Sequence, residues 1–427
     1  MACVDTNNLA DERSKSFVWP ISYGFDYMSD CVESLPLSKD NSDAVTVPFP
    51  PLLMESDPKV NDASISLHPA DAGLPWHTSI PFLRQTKHWR SVLSITRRLL
   101  ELFADAGSDD TASKICLDID AAFAQGMVNT WAEVAKAEIP IIFDSWSRFN
   151  AYFWVAADER RVELMTAANG LIIIFDDVWE TKDSEAIHKI QAEFLSRFKV
   201  RDSGRGRGFP NVREEDTTPL QAFITDVIQG FYEEDTKGGN GGKEVVDRMV
   251  EFINHRPPAR EFTTLREFLD YRIKDAAVEF TFTGVKFSLR SNVNMESPRI
   301  ARFMSLASDH VCYVNDLGSY DKEKAAYERG EIVYMLNAVD FVRRMYNLPD
   351  DRSAKRATLQ LQMQLEREMA SELDRLQRLV RECSKADEAP SMEELEFVEA
   401  VVYIVTGNIF TSVVMSRYGG KAARLSL

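Results

Sequence analysis

The sequence predicts an all-α protein, and three observations carry that expectation. Beyond Lys87, apolar residues recur at helical spacing through most of the chain. The breaks between those stretches are short and rich in Gly, Pro or charge. No alternating run has a partner run joined to it by a hairpin turn. The chain has 427 residues, 44% hydrophobic and 27% charged, which allows a sizeable core.

Residues 1–80 are rich in Pro, Ser and Asp and lack sustained periodicity; Pro48, Pro50 and Pro51 would interrupt any helix there. An irregular segment is expected, wrapped over a single helical domain of residues 81–427. In that domain Trp89, Val92, Leu93, Thr96, Leu99, Leu100 and Phe103 mark one helical face. Further helices are expected over 112–138, 158–175, the segment after Glu185, and 220–234. Others follow over 265–289, 298–317, 332–346, 354–383 and 392–418. Gly-rich stretches at 203–208 and 237–242 read as loops. The run Leu171-Ile172-Ile173-Ile174-Phe175 has the β-branching of a strand, but its flanks are helical, so a buried helix is expected. The apolar stretch 397–415 contains Glu399 and Asn408 and follows Glu393, Glu394 and Glu396. A core helix fits it better than a membrane span.

The net charge of −17 and a pI near 5.0 argue against nucleic acid or an anionic membrane as the main partner. Five widely spaced cysteines (Cys3, Cys31, Cys116, Cys312 and Cys383) read as free thiols in a reducing compartment. The six histidines show no zinc spacing. Met1 to Asp5 lead into no apolar run of signal-peptide type, so a cytoplasmic location is expected.

Two acidic stretches carry chemistry. The first is Asp176-Asp177-Val178-Trp179-Glu180. On a helix Asp176 and Glu180 share a face, with Asp177 about 100° round. Three carboxylates directly after five apolar residues need cations or hydrogen-bond donors. Mg²⁺ suits them, because it takes oxygen ligands from a few carboxylates, substrate phosphates and water. The second stretch runs from Asn315 to Glu323. Asn315, Ser319 and Glu323 fall at i, i+4 and i+8, a stripe of oxygen ligands about 12 Å long. An amide, a hydroxyl and one carboxylate give a low ligand charge, as befits a metal that must also bind diphosphate. Lys322 adds a cation beside the stripe. Read alone, either stretch could instead be a solvated helix end, with Gly318 as a breaker.

Together the two stretches resemble the metal motifs of class I terpene synthases. The first is similar to that family's DDxx(D/E) motif. The second fits (N/D)Dxx(S/T)xx(K/R)(D/E) at every defined position. The resemblance covers roughly residues 85–420 and looks closest to the fungal branch. In Tyr271-Arg272-Ile273-Lys274-Asp275-Ala276, Arg272 stands where the family has a diphosphate-sensing arginine. Asp275 stands at the linker position, and Ala276 where glycine or another small residue is usual. Arg417-Tyr418 resembles the family's RY pair, which hydrogen-bonds diphosphate when the site closes.

The resemblance implies three Mg²⁺ ions clamping a prenyl diphosphate, with donors from Arg272, Lys322, Arg417 and Tyr418. Ionisation would leave an allylic cation in a dry cavity. Wall candidates are Phe149, Phe153, Phe175, Trp179, Phe280, Tyr313 and Phe410, with Phe153 and Phe410 preferred. A compact domain of this kind implies a C15 substrate, farnesyl diphosphate, and a sesquiterpene product; a C20 substrate stays open. So do proton loss against water capture, and monomer against homodimer. A chain-elongating prenyltransferase would carry two aspartate-rich motifs. A protonation-initiated cyclase would need DxDD, which Asp118-Ile119-Asp120-Ala121 lacks. A non-enzymatic all-α scaffold would leave both acidic stretches in solvent.

Overall fold

The structure is a computed structural model that describes residues 28, 48–69, 76–106, 121–179, 184–201, 209–211, 217–237, 241–382 and 389–419. Helices dominate it, as the periodicity requires.

The described part of the N-terminal segment is more regular than expected. A 3-10 turn at Leu53–Ser56 leads into α1 (Pro58–Ala63), where Asp57 accepts a bond from Lys59 N at 2.8 Å. Strands β1 (Ser64–Leu67) and β2 (Leu83–Thr86) then pair antiparallel, Ser64 opposite Thr86. Four residues are too few to show alternation, and no tight turn joins these strands, so the sequence gives no strand signal. Arg84 on β2 is buried, and its guanidinium donates to Glu55, Asn61 and Ser64. Those partners offset the cost of burying its charge.

The helical bundle begins with α2 (Trp89–Ala106), whose seven marked residues are all buried. Next come α3 (Ala121–Glu138), α4 (Ser147–Phe153), α5 (Glu159–Trp179), α6 (Ser184–Ser196), α7 (Pro219–Lys237) and α8 (Gly241–Ile253). Then follow α9 (Leu265–Asp275), α10 (Val278–Leu289), α11 (Ala301–Glu328), α12 (Ala338–Met345) and α13 (Asp351–Glu382). The bundle closes with α14 (Met392–Val414) and α15 (Ser416–Gly419). Leu171–Phe175 is helical, within α5. Helix α14 starts at a capping box formed by Ser391 and Glu394. Among the described residues it is the one helix long and apolar enough to cross a membrane, yet its apolar stretch from Phe397 onward is buried inside the bundle. Helices α4, α10, α11 and α13 pack around it.

The N-terminal segment seals the face formed by α13 and α14. Met54 N donates to Glu399 at 2.9 Å, Tyr403 Oη to Glu55 at 2.7 Å, and Gln377 to Pro51 O at 2.8 Å. The segment thus satisfies polar groups that α13 and α14 turn inward.

Several boundaries differ from the sequence reading. Helix α7 runs through Lys237 and α8 starts at Gly241, inside the stretch expected to be loop; residues 238–240 lie outside the described ones. Gly242 serves close approach here, since a Cβ would stand 2.2 Å from Phe231 O on α7. The expected loop at 203–208 lies outside the described residues, as do residues 112–120 of the expected helix 112–138. Gly318 does not break α11, because its missing Cβ would stand 2.7 Å from Ser412 on α14. The helix therefore passes unbroken through the whole second acidic stretch.

The stretch 265–289 divides at Ala276–Ala277. Ala277 has φ 51° and ψ 33°, the left-handed region, and is the N-cap of α10. A non-glycine residue there costs about 1–2 kcal/mol. The turn redirects the chain so that the end of α9 faces α11. Ala277→Gly should remove that strain. After about 0.4–1 kcal/mol is returned to the more flexible unfolded chain, stability in urea denaturation should still rise by roughly 0.5–1 kcal/mol.

Candidate active site

A cavity opens between α5 and α11, bounded by the ends of α9 and α14. From α5 it is lined by Asn169, Ile172, Ile173 and Asp176, and from α11 by Val311, Asn315, Lys322 and Glu323. Ile172 and Asp176 are four apart, as are Val311 and Asn315. From these apolar residues each wall helix passes to a polar one within a turn, and on α5 Asn169 adds a polar group beyond Ile172. The cavity acquires an apolar level and a polar level. Phe149 and Phe153 of α4 and Phe252 of α8 extend the apolar one; Arg272, Asp275, Arg417 and Tyr418 extend the polar one.

Arg272 is the centre of the polar level. It is buried, and its Nε and Nη2 donate to Asp316 Oδ1 at 3.0 and 2.8 Å. Nη2 also reaches Asn315 Oδ1 at 3.1 Å, and Nη1 bonds Asp275. Burial works against the charge on Arg272, but Asp316, Asp275 and Glu323 outweigh it and raise its pKa. Burial pushes the Asp316 carboxyl up to about 7 against the pull of Arg272. Asp275 also loses water to burial, yet Arg272 and then His255 hold its carboxyl below the usual range. Asp275 Oδ1 lies 3.2 Å from His255 Nε2 and accepts from Tyr271 Oη at 3.3 Å. The His255 ring stacks on Trp179 of the first acidic stretch, centroids 4.3 Å apart. Nothing in the local sequence around His255 announces that contact.

In the first acidic stretch, Asp176 lines the cavity. Asp177, also expected as a metal ligand, does not. Arg417 engages both of its oxygens, one at 3.0 Å and the other closer. Burial raises the Asp177 carboxyl, but Arg417 and then Lys322 bring it below its usual value. The pair ties α15 to α5. Glu180 lies outside the described residues.

In the second stretch, Asn315 and Glu323 line the cavity as expected. Ser319 lies between them but is buried beneath the surface. It is covered by Asn337, a residue the sequence reading passed over. Asn337 Nδ2 lies 2.9 Å from Glu323 Oε2, 2.9 Å from Asp316 O and 3.4 Å from Ser319 Oγ. Its Oδ1 caps α12 through Val339 N at 2.9 Å. The helix expected over 332–346 would place Asn337 inside it; α12 instead starts at Ala338 with Asn337 as its N-cap, so neither the cap nor the donor role is read from the sequence.

The expected wall aromatics divide. Phe149 and Phe153 line the cavity and pack edge to face, 5.4 Å between centroids. Phe175 does not face it; the α5 helix turns it against Phe194 and Phe252. Phe410 is also core, set against Trp76 and Tyr152. Both side chains are fully buried. Ala276 lines the cavity beside Ala277. Asn408 and Thr281 line it too, and the Asn408 amide donates to Val311 O at 3.0 Å.

The donor set fits a hard divalent cation. Asn315, Ser319 and Glu323 offer only oxygen and one formal charge on one helix stripe. Asp176 offers a carboxylate from the opposite wall. Among the described residues no three His, Cys, Asp or Glu groups converge on one point. A cation here would take its remaining ligands from water or phosphate oxygens.

The comparisons with known proteins agree with this geometry. Residues 167–368 match the terpene synthase family 2 C-terminal metal-binding region. That span contains both acidic stretches and Arg272. Terpene cyclase 6 of Gibberella fujikuroi is 26% identical over 368 residues, covering 84% of this chain and 87% of that protein. A cyclopiane-type diterpene synthase of Penicillium chrysogenum is 29% identical over 160 residues, which span 37% of this chain and 20% of that protein. Germacradien-4-ol synthase of Streptomyces citricolor shares the fold at a TM-score of 0.51 and 15% identity, over 78% of this chain and 97% of that one. Over residues 167–368 the chain thus carries a terpene synthase metal-binding region, set in an all-α fold shared with a solved terpene synthase.

Proposed function

We propose that the protein ionises farnesyl diphosphate with Mg²⁺ and cyclises the resulting cation to a sesquiterpene hydrocarbon or alcohol. One observation carries this reading. Cationic donors and oxygen ligands converge on the polar level of a single cavity whose other level is apolar and aromatic. The first level suits the diphosphate, the second the prenyl chain.

Asp176, Asn315 and Glu323 line the cavity and would hold the metal, with the buried Ser319 hydroxyl beneath them and three ions as the full complement. When bound, the metal neutralises charge that develops on the leaving diphosphate. Arg272, Lys322, Arg417 and the Tyr418 hydroxyl donate to the same oxygens. As the C–O bond breaks, its electron pair leaves with the diphosphate. Donors fixed beforehand at that position lower the barrier most. Asp177 then holds Arg417 in place of a metal. The allylic cation left behind needs an environment without water. Phe149 and Phe153 supply aromatic faces, each worth about 0.5–2 kcal/mol to a nearby cation. The sequence ends with loss of a proton or addition of one water.

A single compact α-domain favours the C15 substrate. Gly407 brings α14 so close to α4 that a Cβ would stand 2.6 Å from Tyr152 O. Edge-to-face contacts run from Phe149 and Phe153 on the cavity wall back to Trp154 in the core. The second reading is a C20 substrate, geranylgeranyl diphosphate, favoured by the likeness to the diterpene synthase of Penicillium chrysogenum.

Incubation with geranyl, farnesyl or geranylgeranyl diphosphate and Mg²⁺, followed by gas chromatography–mass spectrometry, decides between them. A cyclic C15 product from farnesyl diphosphate is expected. A cyclic C20 product alone would overturn the substrate assignment, and no terpene from any of the three would overturn the cyclase reading. Asp176→Ala and Asn315→Leu should each reduce turnover at saturating Mg²⁺ by about 10²-fold or more, the usual cost of removing one charge-stabilising group. Near-wild-type rates in both would remove these residues from the metal site.

A further inference from the structure

Asn337 lies outside both acidic stretches, yet it is the residue that holds the second one in shape. It is fully buried at the start of α12, facing α11. Its amide nitrogen lies 2.9 Å from Glu323 Oε2, leaving the other carboxylate oxygen for the cavity. The same nitrogen lies 2.9 Å from Asp316 O and 3.4 Å from Ser319 Oγ. The next residue continues the grip, since Ala338 N donates to Asp316 Oδ2 at 2.6 Å. The other oxygen of Asp316 holds Arg272. Two consecutive residues thus touch both the proposed metal stripe and the carboxylate that fixes Arg272.

We propose that Asn337 is a positioning residue for the metal–diphosphate site, acting through Glu323 and Ser319. A free Glu side chain has three rotatable bonds and loses rotamer entropy when it binds a cation. A buried N–H donor selects one rotamer beforehand. The donor is neutral, so it orients the carboxylate without competing for the metal as a lysine would. This inference rests on the reading of Asn315, Ser319 and Glu323 as metal ligands.

Asn337 has two functions that substitution can separate. Its oxygen caps α12 and its nitrogen holds Glu323. Asn337→Ser retains a capping oxygen, but it is too short to reach Glu323 and has no amide. Asn337→Ala loses both. The full chain is titrated calorimetrically with inorganic diphosphate in the presence of Mg²⁺, each variant well below its own melting temperature. Positioning predicts the same loss of affinity in both variants, about 10–100-fold as for other groups that orient metal ligands, although only Asn337→Ala melts markedly earlier. In turnover, the Mg²⁺ concentration giving half-maximal rate should rise by a similar factor, and kcat at saturating Mg²⁺ should fall less. A purely structural role predicts that affinity follows stability. Affinity within twofold of wild type in Asn337→Ser therefore overturns the proposal. Glu323→Gln is the control. If it too binds Mg²⁺ and diphosphate like wild type, the metal-stripe reading itself falls; if only the control loses binding, the role of Asn337 alone falls.

Discussion

The site depends on one buried cation. Arg272 meets Asp316, Asp275 and Asn315, and these partners sit on α9 and α11. A guanidinium withdrawn from water is tolerated only where several fixed acceptors surround it. Satisfying it therefore sets the distance between the end of α9 and the middle of α11. A second pair on the same two helices, Arg266 with Asp309 at 2.7 and 2.9 Å, repeats the clamp nearer the start of α9. The strained turn at Ala277 follows from this. The chain must leave α9 immediately after Asp275 so that α10 can return to the core.

The polar level of the cavity is built outward from that cation. Asn315 contacts Arg272 directly, and Asp316 connects it to Ala338 and the start of α12. Asp275 connects it through His255 to Trp179 on α5. The two acidic stretches are far apart in sequence and sit on opposite walls, yet one guanidinium touches the second directly and reaches the first through Asp275 and His255. A change at either wall thus bears on the hydrogen bonds of Arg272.

Helical periodicity made the bundle legible, because burial of an apolar stripe leaves a direct trace in residue spacing. The marked face of α2 and the buried run in α5 follow from it. Asp176, Asn315, Glu323, Arg272, Lys322, Arg417 and Tyr418 all reach the same cavity. Their selection came from motif spacing and from the family resemblance, since periodicity alone does not distinguish a ligand from a solvated charge. Three kinds of feature were hidden. Phe175 and Phe410 have the right composition for a wall, but helix rotation turns them into the core, and rotation depends on packing against partners the sequence does not name. His255 and Asn337 act through contacts made across the fold. The glycines at 242 and 318 look like breakers, whereas each marks a place where two helices nearly touch.

The way residues 48–69 and 76–86 dock has a consequence for the order in which the protein becomes competent. Met54 bonds Glu399 across 345 positions of sequence, and Tyr403 bonds Glu55 across 348. Contacts so distant along the chain form late, because the loop between their ends must first be closed. Helix α14 ends one residue before α15, which carries Arg417. During synthesis, the early segment must wait for α14 before its polar groups are satisfied. Arg417, which also reaches the cavity, follows on α15. The docked N-terminal segment therefore reports that α14, and the part of the cavity wall that α14 supplies through Asn408, is already in place.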